Sequence, residues 1–298
     1  VLETLTQLLP KKDMPPSLQN EVGEGLADNT GLVFDISNEE FFRIRDYLQK
    51  ELGIQLGLSK KQMVASRLAK RIRHYHLSSY GDYFQQSIDG TLGNECQVML
   101  DLLTTNETYL FREPAHFEFL HEGILANWKR GQLFRAWSAA SSSGEEAYSM
   151  AMVADDLLGQ TAWEIVGSDV STQILIKARK GQYSLVRTEY TPKAYLQKYC
   201  RKGVRSQSGT LLIDKHLRQR VQFWHINLNS VLPDVGQFDV IFLRNVLIYF
   251  DAPTRQEIVK RLLSRLRSGG YFFVSHTETI TGISNQLEIV APSVYRKR

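Results

Sequence analysis

The sequence predicts an α/β protein in two parts: a helical segment, then a parallel, doubly wound sheet. Three observations lead there. Up to about residue 130, apolar residues recur at helical spacing. From Leu133 onward, short apolar runs alternate with amphipathic stretches, the rhythm of strands and crossover helices. The turn after the first run, Ser141-Ser-Ser-Gly-Glu-Glu146, is rich in small residues, as where a strand end meets a ligand.

Residues 1–30 hold one short amphipathic stretch and then Pro15, Pro16, Gly23 and Gly25, and read as a tail. The helical segment spans 31–130. Ser37 with Glu40, and Ser59 with Gln62, have the spacing of a capping box, in which side chain and amide satisfy each other reciprocally. Phe41, Ile44 and Leu48 follow the first at helical spacing; Val64, Leu68 and Ile72 follow the second. Leu100, Leu102 and Leu103 close a further helix, and Pro114 precedes another running from Ala115 towards Lys129. The sheet segment spans 131–298. Strands are expected at 133–140, 163–169, 221–228, 238–250 and 271–276, with helices at 147–158, 171–181 and 253–266 between them. Between 182 and 220 the rhythm breaks at Gly203 and Gly209, leaving one strand-like stretch at 210–213; this is a small insertion on the sheet.

Composition excludes several classes. With 43% hydrophobic and 23% charged residues the chain is neither disordered nor fibrous. The strongest apolar run, 240–250, is interrupted by Arg244 and Asn245 and falls far short of the ~18 residues a membrane span needs. The N-terminal stretch lacks a basic start followed by an apolar run, so no secretory leader and a cytoplasmic location are expected. Cys96 and Cys200 fit neither a disulfide framework nor a metal spacing, and His74 and His76 receive no metal role. A net charge of +4 does not by itself indicate nucleic acid.

The turn at 141–146 lacks the dinucleotide fingerprint G-x-G-x-x-G. Glu145 and Glu146 stand where a pyrophosphate would sit, and carboxylates would repel it. They suit a ligand with an ammonium and a sulfonium, as S-adenosylmethionine carries. The same acids would equally serve in a first helical turn, stabilising its dipole. The next strand ends in Asp169, positioned to accept hydrogen bonds from ribose hydroxyls or to cap the following helix.

Four stretches read together carry a resemblance. They are Thr104-Thr-Asn-Glu-Thr-Tyr-Leu-Phe-Arg112, Trp137-Ser-Ala-Ala-Ser-Ser-Ser-Gly-Glu-Glu-Ala-Tyr-Ser149, Gly167-Ser-Asp169 and Phe238-Asp-Val-Ile-Phe-Leu-Arg-Asn-Val-Leu-Ile-Tyr-Phe-Asp251. In this order and spacing they resemble the CheR family of chemotaxis receptor glutamate O-methyltransferases, over about 37–295. The resemblance implies a small all-helical domain, then a Rossmann-like class I methyltransferase domain with a small inserted β-subdomain. Ser142-Ser143 stands where the family commonly has Ser-Thr, a conservative departure.

It also implies a site. Asn106, Thr108 and Arg112 match the interdomain segment at the cofactor pocket. Glu145 matches the acid at the methionine end, and Asp169 the ribose acid. Asn227 and Leu228 match a pair beside the adenine, and Arg244 and Asn245 the strand-end pair near the sulfur. Arg112 and Tyr249 match the residues facing the incoming glutamate. The implied reaction consumes S-adenosylmethionine, yields S-adenosylhomocysteine and needs no metal. The implied partners are cytoplasmic methylation helices of chemoreceptors, met by a monomer with no membrane insertion. Whether 182–220 also binds a receptor C-terminal tether is not legible.

On the helix after Ser59, Lys60, Arg67, Lys70 and Arg71 gather beside the apolar stripe, and no acid occurs between Glu51 and Asp82. A one-sided basic face suits an acidic partner, and the resemblance makes it the docking surface for glutamate-rich receptor helices. Rival readings weigh less. A base-amine methyltransferase would carry Asn/Asp-Pro-Pro-aromatic where Arg244-Asn-Val-Leu-Ile-Tyr249 stands, so nucleic acid is not the expected partner. Another acceptor on the same fold, or a non-catalytic cofactor-binding adapter, remains the alternative.

Overall fold

The computed structural model describes residues 35–129, 131–159 and 163–298. The tail expected at 1–30 lies outside them. Residues Ile36–Arg298 form one unit.

The helical part begins at α1 (Asn38–Leu52), closed by the expected Ser37–Glu40 capping box and ended by Gly53, whose φ of 74° a side chain would strain. The second expected box does not form. Ser59 lies inside a short 3₁₀ turn, Leu58–Lys60, which runs directly into α2 (Lys61–His74), so α2 starts without a side-chain cap. α3 (Tyr80–Ile88) and α4 (Glu95–Leu103) complete this part. Phe41, Ile44 and Leu48 of α1 and Val64, Leu68 and Ile72 of α2 are all buried, as their spacing predicts. The helix expected from Ala115 is α5 (Pro114–Glu118), which widens into a π turn (Phe119–Ile124) and a 3₁₀ turn (Leu125–Asn127).

Then comes a seven-stranded sheet in the order β6-β2-β1-β7-β8-β10-β9. β1 (Phe134–Ser138), β2 (Trp163–Asp169), β6 (Gln222–His225), β7 (Phe238–Phe242) and β8 (Leu266–Phe273) are parallel. They are joined by α6 (Glu145–Leu158), α7 (Thr172–Lys180) and α10 (Ala252–Leu263). One face buries Met150, Val153, Ile165 and Phe242; the other buries Trp137, Ile241, Ile258 and Leu262. The C-terminal hairpin, β9 (Leu287–Ala291) with β10 (Val294–Lys297), pairs antiparallel on β8 and makes the sheet mixed. Its residues are mostly part-exposed, so no apolar run announces it.

The stretch between β2's crossover and β6 is a small sheet of its own, β3 (Gln182–Ser184), β5 (Thr210–Ile213) and β4 (Cys200–Lys202), in the order β3-β5-β4 and antiparallel. It also holds α8 (Lys193–Tyr199), and α9 (Lys215–Arg220) returns the chain to the main sheet. The strand expected over 238–250 stops at Phe242. Asn245 adopts φ 57° and Leu247–Tyr249 is a 3₁₀ turn, a path no strand can follow. β8 likewise starts at Leu266 and not at Tyr271, its register broken by an irregularity opposite Phe238–Val240. No described helix is long and apolar enough to cross a membrane.

Candidate active site

The carboxyl ends of the parallel strands open onto a cavity of about 320 Å³. This is the ligand position of open α/β sheets. Strand-end turns form its floor, and two stretches of the helical part, around residues 52–63 and 103–112, form its roof. Asn106, Thr108, Arg112, Asp169, Asn227, Leu228, Arg244, Asn245 and Tyr249 all line it, brought together from positions up to 143 residues apart.

Glu145 does not. α6 starts at this residue, so successive side chains diverge by ~100°, and Glu145 turns beneath the inserted subdomain. It is fully buried, taking a 2.7 Å ion pair from Arg187 Nη1 and a 2.6 Å hydrogen bond from Ser143 Oγ. Its neighbour Glu146 lines the cavity instead. Ser138 Oγ donates to Glu146 at 2.7 Å, and Arg244 Nη1 at 2.9 Å. Burial pushes the Glu146 carboxyl above its ordinary range, against the pull of Arg244.

Asp169 ends β2 as expected. Its two oxygens accept the amides of Ser142 and Ser171, each at 3.0 Å, which leaves lone pairs for a further donor. Burial raises its carboxyl, and these backbone hydrogen bonds work against that. Ser142 sits at φ 47°, and its Oγ donates to the Asn106 carbonyl at 3.1 Å, tying roof to floor. Asn227 does the same further along: its Nδ2 donates to the Glu51 carbonyl at 2.7 Å, at the end of α1.

Arg244 is a strut. Its guanidinium, 5% exposed as a residue, bonds Glu146, donates from Nη2 to the Arg112 carbonyl at 2.6 Å, and lies 3.2 Å from Glu113. It therefore fixes both acids and the backbone of the roof. Arg112, by contrast, is half-buried and spends only Nη1 on a protein partner, the Glu107 carbonyl at 2.9 Å. Phe111 and Glu113 on either side have φ of 56° and 58°, so two left-handed residues aim Arg112. Strain of this sort persists where the surrounding structure over-determines it. Tyr249 faces the cavity from the 3₁₀ turn, and its carbonyl accepts the Gln55 amide at 2.8 Å.

The expected basic face is only partly free. Arg71 forms a two-point contact with Glu95, both bonds at 2.6 Å, and Tyr83 and Tyr75 donate to the same carboxylate. Arg67 Nη1 donates to the carbonyls of Leu102 and Thr104, capping the end of α4. Both arginines are thus engaged in holding the helical part together. Lys60 and Lys70 are exposed, and Lys60 also lines the cavity mouth.

Three contributions escaped the sequence. That Glu146 and not Glu145 lines the cavity depends on helix phase at one residue. The Ile54–Leu56 roof segment carries no motif. Glu113 forms a cluster with His116 and His276 whose ligand-type atoms lie within 4.8 Å of one another, with Arg244 drawn to the same carboxylate. The Arg112-Glu113 adjacency was legible; its partners on α5 and beyond β8 were not.

Comparison with known proteins agrees with this architecture. The family model described as "CheR methyltransferase, all-alpha domain" matches residues 39–104, and "CheR methyltransferase, SAM binding domain" matches residues 106–295. The chain is 37% identical over 265 residues to chemotaxis protein methyltransferase 2 of Pseudomonas aeruginosa, covering 88% of this chain and 94% of that one. It is 35% identical over 263 residues to the chemotaxis protein methyltransferase of Escherichia coli, covering 87% and 91%. It is 36% identical over 289 residues to that of Klebsiella aerogenes, covering 95% and 98%. With both domains matched and relatives aligned along most of their length, the chain belongs to the CheR family of S-adenosylmethionine-dependent chemotaxis protein methyltransferases.

Proposed function

We propose that this protein transfers the methyl group of S-adenosylmethionine to glutamate side chains on the cytoplasmic methylation helices of chemoreceptors. The products are glutamate methyl esters and S-adenosylhomocysteine, serving sensory adaptation in the cytoplasm. One observation carries the reading: a strand-end cavity with Asp169 and Glu146 on its floor and Arg112 and Tyr249 on its lining.

The residues fit the cofactor. Asp169 keeps acceptor capacity for ribose hydroxyls, Glu146 offers a carboxylate to an ammonium, and Leu228 and Ile226 supply apolar wall for a base. Glu146 takes the part that the resemblance implies for Glu145. When bound, S-adenosylmethionine supplies a methyl group already activated on a sulfonium. An acceptor glutamate, with a pKa near ~4.3, is already an anion at neutral pH, so no general base is needed. What remains is alignment, worth up to ~7–11 kcal/mol in favourable cases. Arg112 holds one carboxylate oxygen so that the other is presented. Because Glu107 and the Tyr109 ring share its guanidinium, it orients the anion more than it neutralises it. Tyr249 shapes the acceptor side.

We read residues 1–30 as a tail, 31–130 as the helical domain with its linker, and 131–298 as the transferase domain with 182–220 inserted. Lys60 and Lys70 draw in the acidic acceptor helix. The protein acts as a monomer without metal or nucleic acid.

The test is transfer of labelled methyl from S-adenosylmethionine to chemoreceptor cytoplasmic fragments from the same source. Label released as volatile methanol by alkali supports carboxyl methyl esters. Alkali-stable label would mean nitrogen or carbon methylation and overturn the acceptor. Cofactor binding without any label would favour the adapter.

A further inference from the structure

Outside the cavity, one buried carboxylate has a geometry that the reaction described above does not use. Glu278 follows β8, is 9% exposed, and does not line the cavity. Its Oε2 accepts the amides of Asn245 at 2.9 Å and Ser275 at 3.0 Å, and its Oε1 accepts the amide of Leu247 at 2.8 Å. β7 and β8 are paired up to Phe242 and Phe273, and the Leu243 amide still reaches the Phe273 carbonyl at 2.9 Å. Beyond that point the strands part, and their amides lose ladder partners. The single carboxylate replaces the missing ladder across the gap.

The amides it holds belong to the segment that carries Arg244, Asn245 and Tyr249. Asn245 sits at φ 57°, a conformation an L residue keeps only when its surroundings enforce it. The Asn245 and Leu247 amides, on either side of Val246, are the points at which Glu278 grips. We propose that Glu278 is a positioning residue for methyl transfer: it locks 244–249 in the shape that presents Asn245 and Tyr249 to the cavity. The proposal rests on the functional reading above.

The carboxylate chemistry is specific. A glutamine is isosteric but carries one acceptor oxygen and one NH₂ group, so it meets at least one of these amides donor to donor. Glu278→Gln is therefore compared with the wild-type full chain. The readouts are turnover on the receptor fragment, S-adenosylhomocysteine affinity by calorimetry, and amide exchange by mass spectrometry. The expectation is kcat per folded molecule down by about 100-fold, as for small misplacements of reacting groups. Affinity should fall by about tenfold at most, less than turnover, because Asn245 also lines the cavity, and exchange should quicken at 243–249. If Glu278→Gln does not fold, Glu278→Asp, charged but one methylene short, carries the same expectation. Unchanged kcat per folded molecule with only a lower melting temperature would make Glu278 a plain strut and overturn the proposal. So would unchanged exchange at 243–249. A wild-type protein that labels no receptor overturns the functional reading instead; the exchange result then decides for or against Glu278 by itself.

Discussion

The floor and the roof of the cavity are built on opposite principles. On the floor, the charged groups are buried or part-buried and already engaged: Arg244 with Glu146 and Glu113, Asp169 with two amides. On the roof, Arg112 is half-exposed and spends one nitrogen on a carbonyl, while Lys60 is open to solvent. A floor of this kind holds one ligand in one pose, whereas a roof of this kind admits a changing partner. Substitutions on the floor should therefore register in stability and cofactor affinity, and those on the roof in turnover and acceptor recognition.

The largest effect is expected at Arg244→Ala. Removing one side of a buried pair leaves the carboxylates of Glu146 and Glu113 uncompensated, at a cost of about 3–5 kcal/mol. Urea unfolding would measure it, and a loss within experimental error of zero would show that the floor is not what holds this region. Arg112→Ala is the matching roof experiment. Turnover should fall about 100-fold while the unfolding midpoint stays put, and near-normal turnover would remove its positioning role.

The helical part offers a control. Arg71→Met deprives the nearly buried Glu95 of its partner, and because Arg71 keeps some solvent access the expected loss is about 2 kcal/mol. Cofactor affinity should not change; if it did, the Arg71–Glu95 pair would be coupled to the cavity.

A pH series sharpens the floor further. Burial, helped by Arg244 and His276, pushes the His116 imidazole down to about 3. The folded state thus binds its proton less readily than the unfolded chain, whose histidine titrates near ~6.5. Stability from this source is whole above that value and drains as pH falls from about 6.5 towards 3. Between pH 7.5 and 5.5 the wild type should lose about 1 kcal/mol more than His116→Phe. Equal slopes for the two would rule His116 out as the origin. The smallest effect is expected at Lys70→Glu, an exposed position. Stability should move by less than about 0.5 kcal/mol, while KM for an acidic receptor fragment rises several-fold at low salt and recovers towards wild type as salt is added.

Much of this was legible in the sequence, for particular physical reasons. Apolar spacing gave the α1 and α2 stripes because burial on one face leaves a period. Asp169 reads as a strand-end acid because the apolar run from Trp163 stops at it, and β2 ends there. What the sequence hid depends on phase and on distant partners. Glu145 and Glu146 are adjacent and identical, and only the orientation of α6 decides that the second lines the cavity. Arg67 and Arg71 look like a free basic face until α4 brings Glu95 and two carbonyls against them. The 238–250 run reads as one strand because most of its residues are apolar; the turn at Asn245 that ends it has its amides held by Glu278, 33 residues further on.

Calorimetry of S-adenosylhomocysteine against Asp169→Ala and Arg112→Ala separates a floor that holds the cofactor from a roof that places the acceptor. Affinity should fall by at least about tenfold for Asp169→Ala, as for loss of a hydrogen bond to a charged group, and change within about threefold for Arg112→Ala. The reverse order, with Arg112→Ala losing the cofactor and Asp169→Ala keeping it, would contradict that division.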